Sequence, residues 1–373
     1  MKIVVAMDSF KAALTADQAC VAISHVIASV LSDAVVSAKP MADGGEGTAR
    51  AMIRAAGGHW TPIEVAGPLA DMRVQAGLAW FDDGTALVEM ASASGLELLT
   101  PEQMDPLETT TYGTGELLAA AADGGATKVL LAVGGSATTD GGIGAAAALG
   151  WKLLDENGDP VALSGRGLDR IASIHRPPDA SFPPVEVLCD VDNPLTGPLG
   201  AARVYGPQKG ATPAVVERLD RGLAHLAKCV REQLGCEIEH VPGAGAAGGL
   251  AAGAIAFMNG RIVSGIETVM SRSNLAAELD DADWVITGEG SFDRQSLSGK
   301  VVSGILELAK QSDTRVAVLA GQVHMGPDEY RRAGIEVAIA SKPDDMPLEA
   351  AIENSRDLLA RAARRLVREY LRP

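Results

Sequence analysis

The chain has 373 residues, of which 47% are apolar, 21% charged and 3% aromatic, a balance that suits two hydrophobic cores and excludes disorder and collagen-like repetition. Its 42 Gly and 19 Pro call for many tight turns and backbone-lined loops, as in α/β layering. A formal charge of −16 repels polyanions and the few aromatics offer no platform for stacking bases, so a small-molecule ligand is favoured over nucleic acid.

Residues 3–7 (IVVAM) read as a short buried strand. Asp8, Ser9 and Lys11 follow it directly, at the strand end where open parallel sheets gather ligands, which sets an acid and a base at a plausible site. Thr15 and Gln18 spell a capping box that opens a helix through about Leu31. The next run, VVSA, is strand-like, and Pro40 with paired glycines forces a loop before a helix from Thr48 to Ala56. In that loop Asp43 and Glu46, suited to a hard cation, flank Gly44 and Gly45, which let a ligand approach the backbone. A βαβα start implies parallel strands.

From Thr61 to Asp83 the pattern alternates between Pro and Gly punctuation, and Ala86–Met90 follows an Asp82-Asp83-Gly84 turn, so hairpins are expected. Val129–Val133 restores strand, loop and helix, with the helix starting near Gly144. Backbone N–H groups around Gly134 and Gly135, with the hydroxyls of Ser136 and Thr138, form a candidate phosphate cradle, and Asp140 is a candidate for a metal or an outer-shell water. No Gly-Lys-Ser/Thr closes the loop, so it is not a Walker A motif.

The run VEVL ends in Cys189–Gly197, where Asp190 and Asp192 lie two apart and face one side of an extended backbone. One suits Mg²⁺ and the other suits proton acceptance. Gln208 and Lys209, after Pro207, offer a fixed cation for an anionic group, and Val215–Leu234 has helical spacing. Gly243, Gly245 and Gly248 match G-x-G-x-x-G with Glu267 downstream, the fingerprint of a dinucleotide-binding oxidoreductase. The preceding CEIEHVP is polar and ends in proline, so the match reads as a close-packed turn.

Trp284–Thr287, Val316–Ala320 and Val337–Ala340 read as buried parallel strands. After the first of them, Glu289, Asp293, Ser296 and Lys300 supply the charges and hydroxyls expected around a nucleotide phosphate or a small acid. A final helix from about Leu348 to Leu371 puts Leu359, Ala363, Leu366 and Tyr370 on one stripe and leaves its arginines solvated.

The economical arrangement is α/β with two domains: a Rossmann- or flavodoxin-like parallel-sheet domain from residues 1–65 and 280–373, and an inserted mixed α/β domain, 66–279. Cys20, Cys189, Cys229 and Cys236 lack the paired spacing of a zinc site. The first apolar run is too short for a signal segment and none reaches membrane length. A cytoplasmic protein, monomeric or homodimeric, is expected.

The blocks DSFK, PMADGGEGT, GTGELL, GGSAT followed by DGG, CDVDNPLTG, GPQKGA, PGAGAAGGL, SGIE and TGEGSFDRQSLSGK occur in this order between Met1 and about Gly321. Together they resemble the bacterial glycerate kinases of the type-1 family. The resemblance implies a two-domain α/β fold and ATP-dependent phosphorylation of D-glycerate with Mg²⁺, mainly to 2-phosphoglycerate. With it, Asp190 is expected to orient or deprotonate the attacking hydroxyl, and Asp192, or Asp43 and Glu46, to bind Mg²⁺. Lys11, Lys209 and Lys300 would balance phosphate and carboxylate charge in a cleft that closes between the domains. A kinase of another small hydroxy acid and an NAD-dependent oxidoreductase are the alternatives. Two positions depart from the family's pattern: Ala12-Ala13, where relatives usually carry Gly-Ser or similar, and Thr139, where Asn is common.

Overall fold

The structure is a computed structural model and describes residues 1–178, 182–298 and 301–371. The strands of its two main sheets are, in chain order, β1 (Lys2–Met7), β2 (Val35–Ala38), β3 (His59–Ala66), β4 (Arg73–Trp80), β5 (Thr85–Glu89), β6 (Lys128–Ala132), β7 (Val185–Leu188), β8 (Arg261–Val263), β9 (Trp284–Gly288), β10 (Arg315–Ala320) and β11 (Ile335–Ala340). The chain divides into two compact units. One comprises Met1–Asp43, Arg50–Gly57 and Ile266–Pro373, and the other Gly44–Ala49 and Gly58–Gly265.

The first unit carries a wholly parallel sheet in the order β11-β10-β9-β1-β2. Counted within the unit this is 2-1-3-4-5, the flavodoxin-like order, whose direction of winding reverses between β1 and β9. Central strands need apolar residues on both faces, and Ile3 to Met7 are all buried. The helix Ala16–Val30 starts at the expected box: Gln18 N donates to Thr15 Oγ1 at 3.2 Å and Thr15 N to Gln18 Oε1 at 3.0 Å. Its Ile23 and Ile27 share one core with Ile3, Val5, Ile286 and Leu319 and with Leu359 and Leu366 near the C-terminus.

The final helix differs from expectation. It breaks into Leu348–Glu353 and Ser355–Leu366, because the Asn354 side chain donates to Ala350 O at 2.8 Å and ends the first segment. After Leu366 a π turn, Val367–Leu371, adds a residue to the repeat. The buried stripe therefore passes to Leu371, 1% exposed, and leaves Tyr370 39% exposed.

The second unit holds a mixed sheet in the order β8-β7-β6-β5-β4-β3, with β5 to β8 parallel and the β3–β4–β5 hairpins antiparallel. β3 pairs with β4 along its whole length, so it belongs to this sheet, whereas a boundary at residue 65 would assign it to the chain-end domain. A turn in which Gly67 N donates to Met72 O at 2.7 Å makes that pairing local. Strand register does the functional work here. Glu89, Ala132, Leu188 and Val263 stand abreast at the ends of four parallel strands, so the loops that follow open along one edge. Among the described residues no helix is long and apolar enough to cross a membrane.

Candidate active site

Three of the expected loops meet at that edge of the second unit. Gly134 N donates to Gly44 O at 3.1 Å, and a Cβ on Gly134 would lie 2.5 Å from Gly45 Cα, so the two glycine-rich loops touch backbone to backbone. Gly44 has φ +86°, and a Cβ there would sit 2.8 Å from Leu188 O. Only glycine permits both the turn and the approach. Ala49 N, just beyond Glu46, donates to the buried Glu89 carboxylate at 2.9 Å, which ties the loop to the end of β5.

Leu188 leads into Cys189 and Asp190. Asp190 is half-buried, and its Oδ1 accepts from Ser264 Oγ at 2.7 Å and from Gly265 N at 3.1 Å. Asp192 is exposed, and the two acids line one cavity of about 590 Å³, together with Val241, Pro242, Ile255 and Ile262. Both acids therefore border the same cavity.

The loop after β6 is packed more tightly than a ligand cradle read from sequence suggests. Lys209 is 2% exposed, and its Nζ donates to Ser136 Oγ at 2.7 Å and Thr138 O at 2.6 Å. Burial pushes its amine down to about 7, against the pull of the Asp140 carboxylate. Lys209 is therefore an internal brace of the loop, not a cation presented at the surface; Gln208 beside it is exposed. Asp140 is fully buried as well and accepts from Thr111 N, Thr111 Oγ1, Gly142 N and Gly144 N at 2.7–3.3 Å. Burial pushes its carboxyl above the ordinary range while these donors pull it back. Its oxygens are engaged in holding the turn into the helix Ile143–Ala148, which corrects the expectation of a reach toward metal.

In the first unit, the other group of expected residues gathers where the winding reverses. Asp8 N donates to Gly288 O at 2.9 Å, so the β1 and β9 exits run side by side. Asp8 and Glu289 are half-buried there, and Ser9 and Lys11 exposed. Gly321 N donates to Glu289 O at 3.1 Å, which adds the end of β10. Asp293 and Ser296 are occupied with each other: Asp293 Oδ1 accepts from Gln295 N at 2.7 Å, and the buried Ser296 hydroxyl accepts from Asp293 N at 3.1 Å. That capping box engages Asp293 Oδ1 and the Ser296 hydroxyl in a local turn. Lys300 lies outside the described residues.

The comparisons with known proteins agree along the whole chain. The family model described as "Glycerate kinase family" matches residues 3–371. The chain belongs to the glycerate kinase family. It is 44% identical over 368 residues to a glycerate kinase of Halalkalibacterium halodurans, covering 98% of this chain and 97% of that one. It is 41% identical over 370 residues to the glycerate 2-kinase of Escherichia coli, covering 98% and 97%. A crystal structure of a glycerate kinase 2 from Salmonella typhimurium LT2 superposes with a TM-score of 0.85 at 40% identity, covering 99% and 97%. As a glycerate kinase family member the chain is an enzyme, a phosphotransferase of the mixed two-sheet α/β class.

Within this family context the G-x-G-x-x-G match finds its use. Gly245 N donates to Asn193 O at 2.9 Å, Gly141 N donates to Gly248 O at 3.0 Å, and a Cβ on Gly248 would meet Thr138 O at 2.0 Å. The glycines wedge this segment between the Asp190–Asn193 stretch and the loop after β6, and the dinucleotide reading is set aside. Two residues of the edge escaped sequence reasoning. Glu89 carried a signal, an acid closing the apolar run ALV, and Ser264 stood in the SGIE block with no partner visible at its distance in sequence.

Proposed function

We propose that this kinase transfers the γ-phosphoryl group of ATP to O2 of D-glycerate, giving 2-phosphoglycerate and ADP. The name of the Escherichia coli relative, at 41% identity over nearly the full length of both chains, supports the 2-position. The observation that carries the residue roles is the pair of carboxylates, Asp190 and Asp192, bordering one cavity just past Leu188, against whose carbonyl one of the touching glycine loops packs. Phosphoryl transfer asks for positioning and charge neutralisation more than covalent chemistry.

Asp190 orients the glycerate hydroxyl and takes its proton as the oxygen attacks the γ-phosphorus and the bond to the β–γ bridging oxygen breaks. Backbone N–H groups of Gly44 and Gly135, in loops tied together by the Gly134 N–H, face phosphate oxygens, with Ser136 and Thr138 shaping the second loop from inside. Asp8, Ser9, Lys11 and Glu289 form the polar set at the β1 and β9 exits, where Lys11 pairs with an anionic group. Mg²⁺ fits the donor set, since it takes one or two carboxylates together with substrate phosphates and water. Asp192 would hold it, with Asp43 and Glu46 as the alternative donors, and when bound it neutralises triphosphate charge. Four free thiols suit a reducing cytoplasm.

Glycerate-dependent ADP release, with the phosphorylated product identified by ³¹P and ¹H NMR, tests the reaction. Asp190→Asn should lower kcat by a factor of about 10² or more. A product phosphorylated on O3 sinks the proposed regiochemistry, and near-normal turnover by the variant sinks the role of Asp190.

A further inference from the structure

We infer that Ser264 is a positioning residue for phosphoryl transfer, holding the Asp190 carboxylate in the plane from which it meets the substrate hydroxyl. The inference rests on the reading that Asp190 addresses that hydroxyl. Asp190 follows β7 and Ser264 follows β8, and the parallel register sets Leu188 beside Val263. Cys189 N donates to Val263 O at 3.0 Å, so the ladder runs on one step past the strands. It ends in two donors on a single oxygen, Ser264 Oγ at 2.7 Å and Gly265 N at 3.1 Å from Asp190 Oδ1.

The terminal torsion of an aspartate is broad, so its own strand does not fix the carboxylate plane. Two donors converging on Oδ1 do fix it, and the serine bond is the shorter of the two. Gly265 opens the helix Gly265–Arg272, which gives a competing, purely structural account: Asp190 caps that helix and Ser264 merely joins in. The two accounts part on substitution. Asparagine caps a helix about as well as aspartate, so under the capping account Asp190→Asn keeps turnover. Under the positioning account the acid is indispensable and Ser264 acts only through it.

The experiment is a double-mutant cycle on steady-state kinetics and melting, using Ser264→Ala, Ser264→Thr, Asp190→Asn and the Ser264→Ala/Asp190→Asn pair. Ser264→Ala should lower kcat by about 10- to 100-fold, the scale of a small misplacement at a reacting centre. KM for ATP and for glycerate should stay within about threefold, since ground-state binding is untouched. Ser264→Thr keeps the hydroxyl and should recover most of the loss, and Ser264→Ala should cost nothing further once Asp190 is Asn. A dead Asp190→Asn with an unimpaired Ser264→Ala overturns the inference and spares the role of Asp190. So do full additivity of the two losses, or a Thr variant no better than Ala at equal melting temperature. An active Asp190→Asn overturns both readings.

Discussion

The Lys209 amine donates to the Ser136 hydroxyl at 2.7 Å inside the loop that follows β6, and a second bond runs to Thr138 O. Two acceptors match the two N–H groups of a neutral amine, and burial favours that form by pushing the group to about 7. The unfolded chain keeps the ordinary 10.5. Above 10.5 both states hold a neutral amine and the group contributes nothing to pH dependence. Between about 7 and 10.5 the unfolded state binds a proton that the folded state does not, so stability rises with pH at about 1.4 kcal/mol per unit. Below 7 both are charged and the full cost of burial remains. Urea unfolding of the natural protein and of Lys209→Met at pH 7, 8 and 9 should give a stability difference that moves by about 2–3 kcal/mol in favour of the natural protein over that window. A flat difference means the buried amine is charged throughout.

Gly134→Ala tests the contact between the glycine loops. The new methyl would lie 2.5 Å from Gly45 Cα, and with backbone on both sides neither loop yields cheaply. Overpacking of this kind costs about 1–3 kcal/mol, and the displaced loop should lower kcat/KM at least tenfold, about the loss expected for a misplaced group. Gly47→Ala is the contrast: φ is +86° but nothing lies within 4 Å of the added carbon. Its cost is backbone strain alone, about 1–2 kcal/mol. Equal kcat/KM losses from the two substitutions would show that contact between the loops is not what matters.

Asp140→Asn exchanges an acceptor for a group that is half donor, in a site where all the neighbours donate. Thr111 supplies two of the bonds, through N at 2.8 Å and Oγ1 at 2.7 Å, and an Asn amide can satisfy only part of the set. The expected loss is about 2–4 kcal/mol in equilibrium unfolding. Thr111→Val should lose about 1–3 kcal/mol, because the same hydroxyl also accepts from Ala145 N at 2.9 Å. A stability change below about 0.5 kcal/mol for Asp140→Asn, the size of an ordinary surface substitution, would mean that the carboxyl is protonated and already donates.

What the sequence conveys here is local pattern, and what it conceals is depth and register. The buried run of β1, the Thr15–Gln18 box and the glycines before strand-following helices depend on neighbours a few residues away, and each stands where the pattern puts it. Lys209, Asp140 and Ser296 read as ligand-facing because their types are charged or polar, yet all three are buried, the first two bonded to residues distant in the chain and Ser296 to its own turn. Ser264 became visible only through the pairing of β7 with β8, which joins it to a residue 74 positions away. The Tyr370 stripe failed for a different reason, since a single π turn resets helical phase without any change of residue class.

Ala12 carries a backbone strain that substitution can measure. It has φ +61°, the left-handed region that favours glycine, in the tight turn where Ala13 N and Leu14 N both donate to Phe10 O at 2.7 and 3.0 Å. A glycine at this point would answer without strain a backbone demand that the alanine meets under strain. An L-residue loses roughly 1–2 kcal/mol in this region, while glycine gives back about 0.4–1 kcal/mol through the freedom of the unfolded chain. Ala12→Gly should therefore raise stability by about 0.5–1 kcal/mol in urea unfolding. The side chain is exposed and the turn keeps its shape, so KM for both substrates should stay within about twofold, under 0.5 kcal/mol. A loss of stability on this substitution would place the strain elsewhere and leave the alanine as the better residue for the turn.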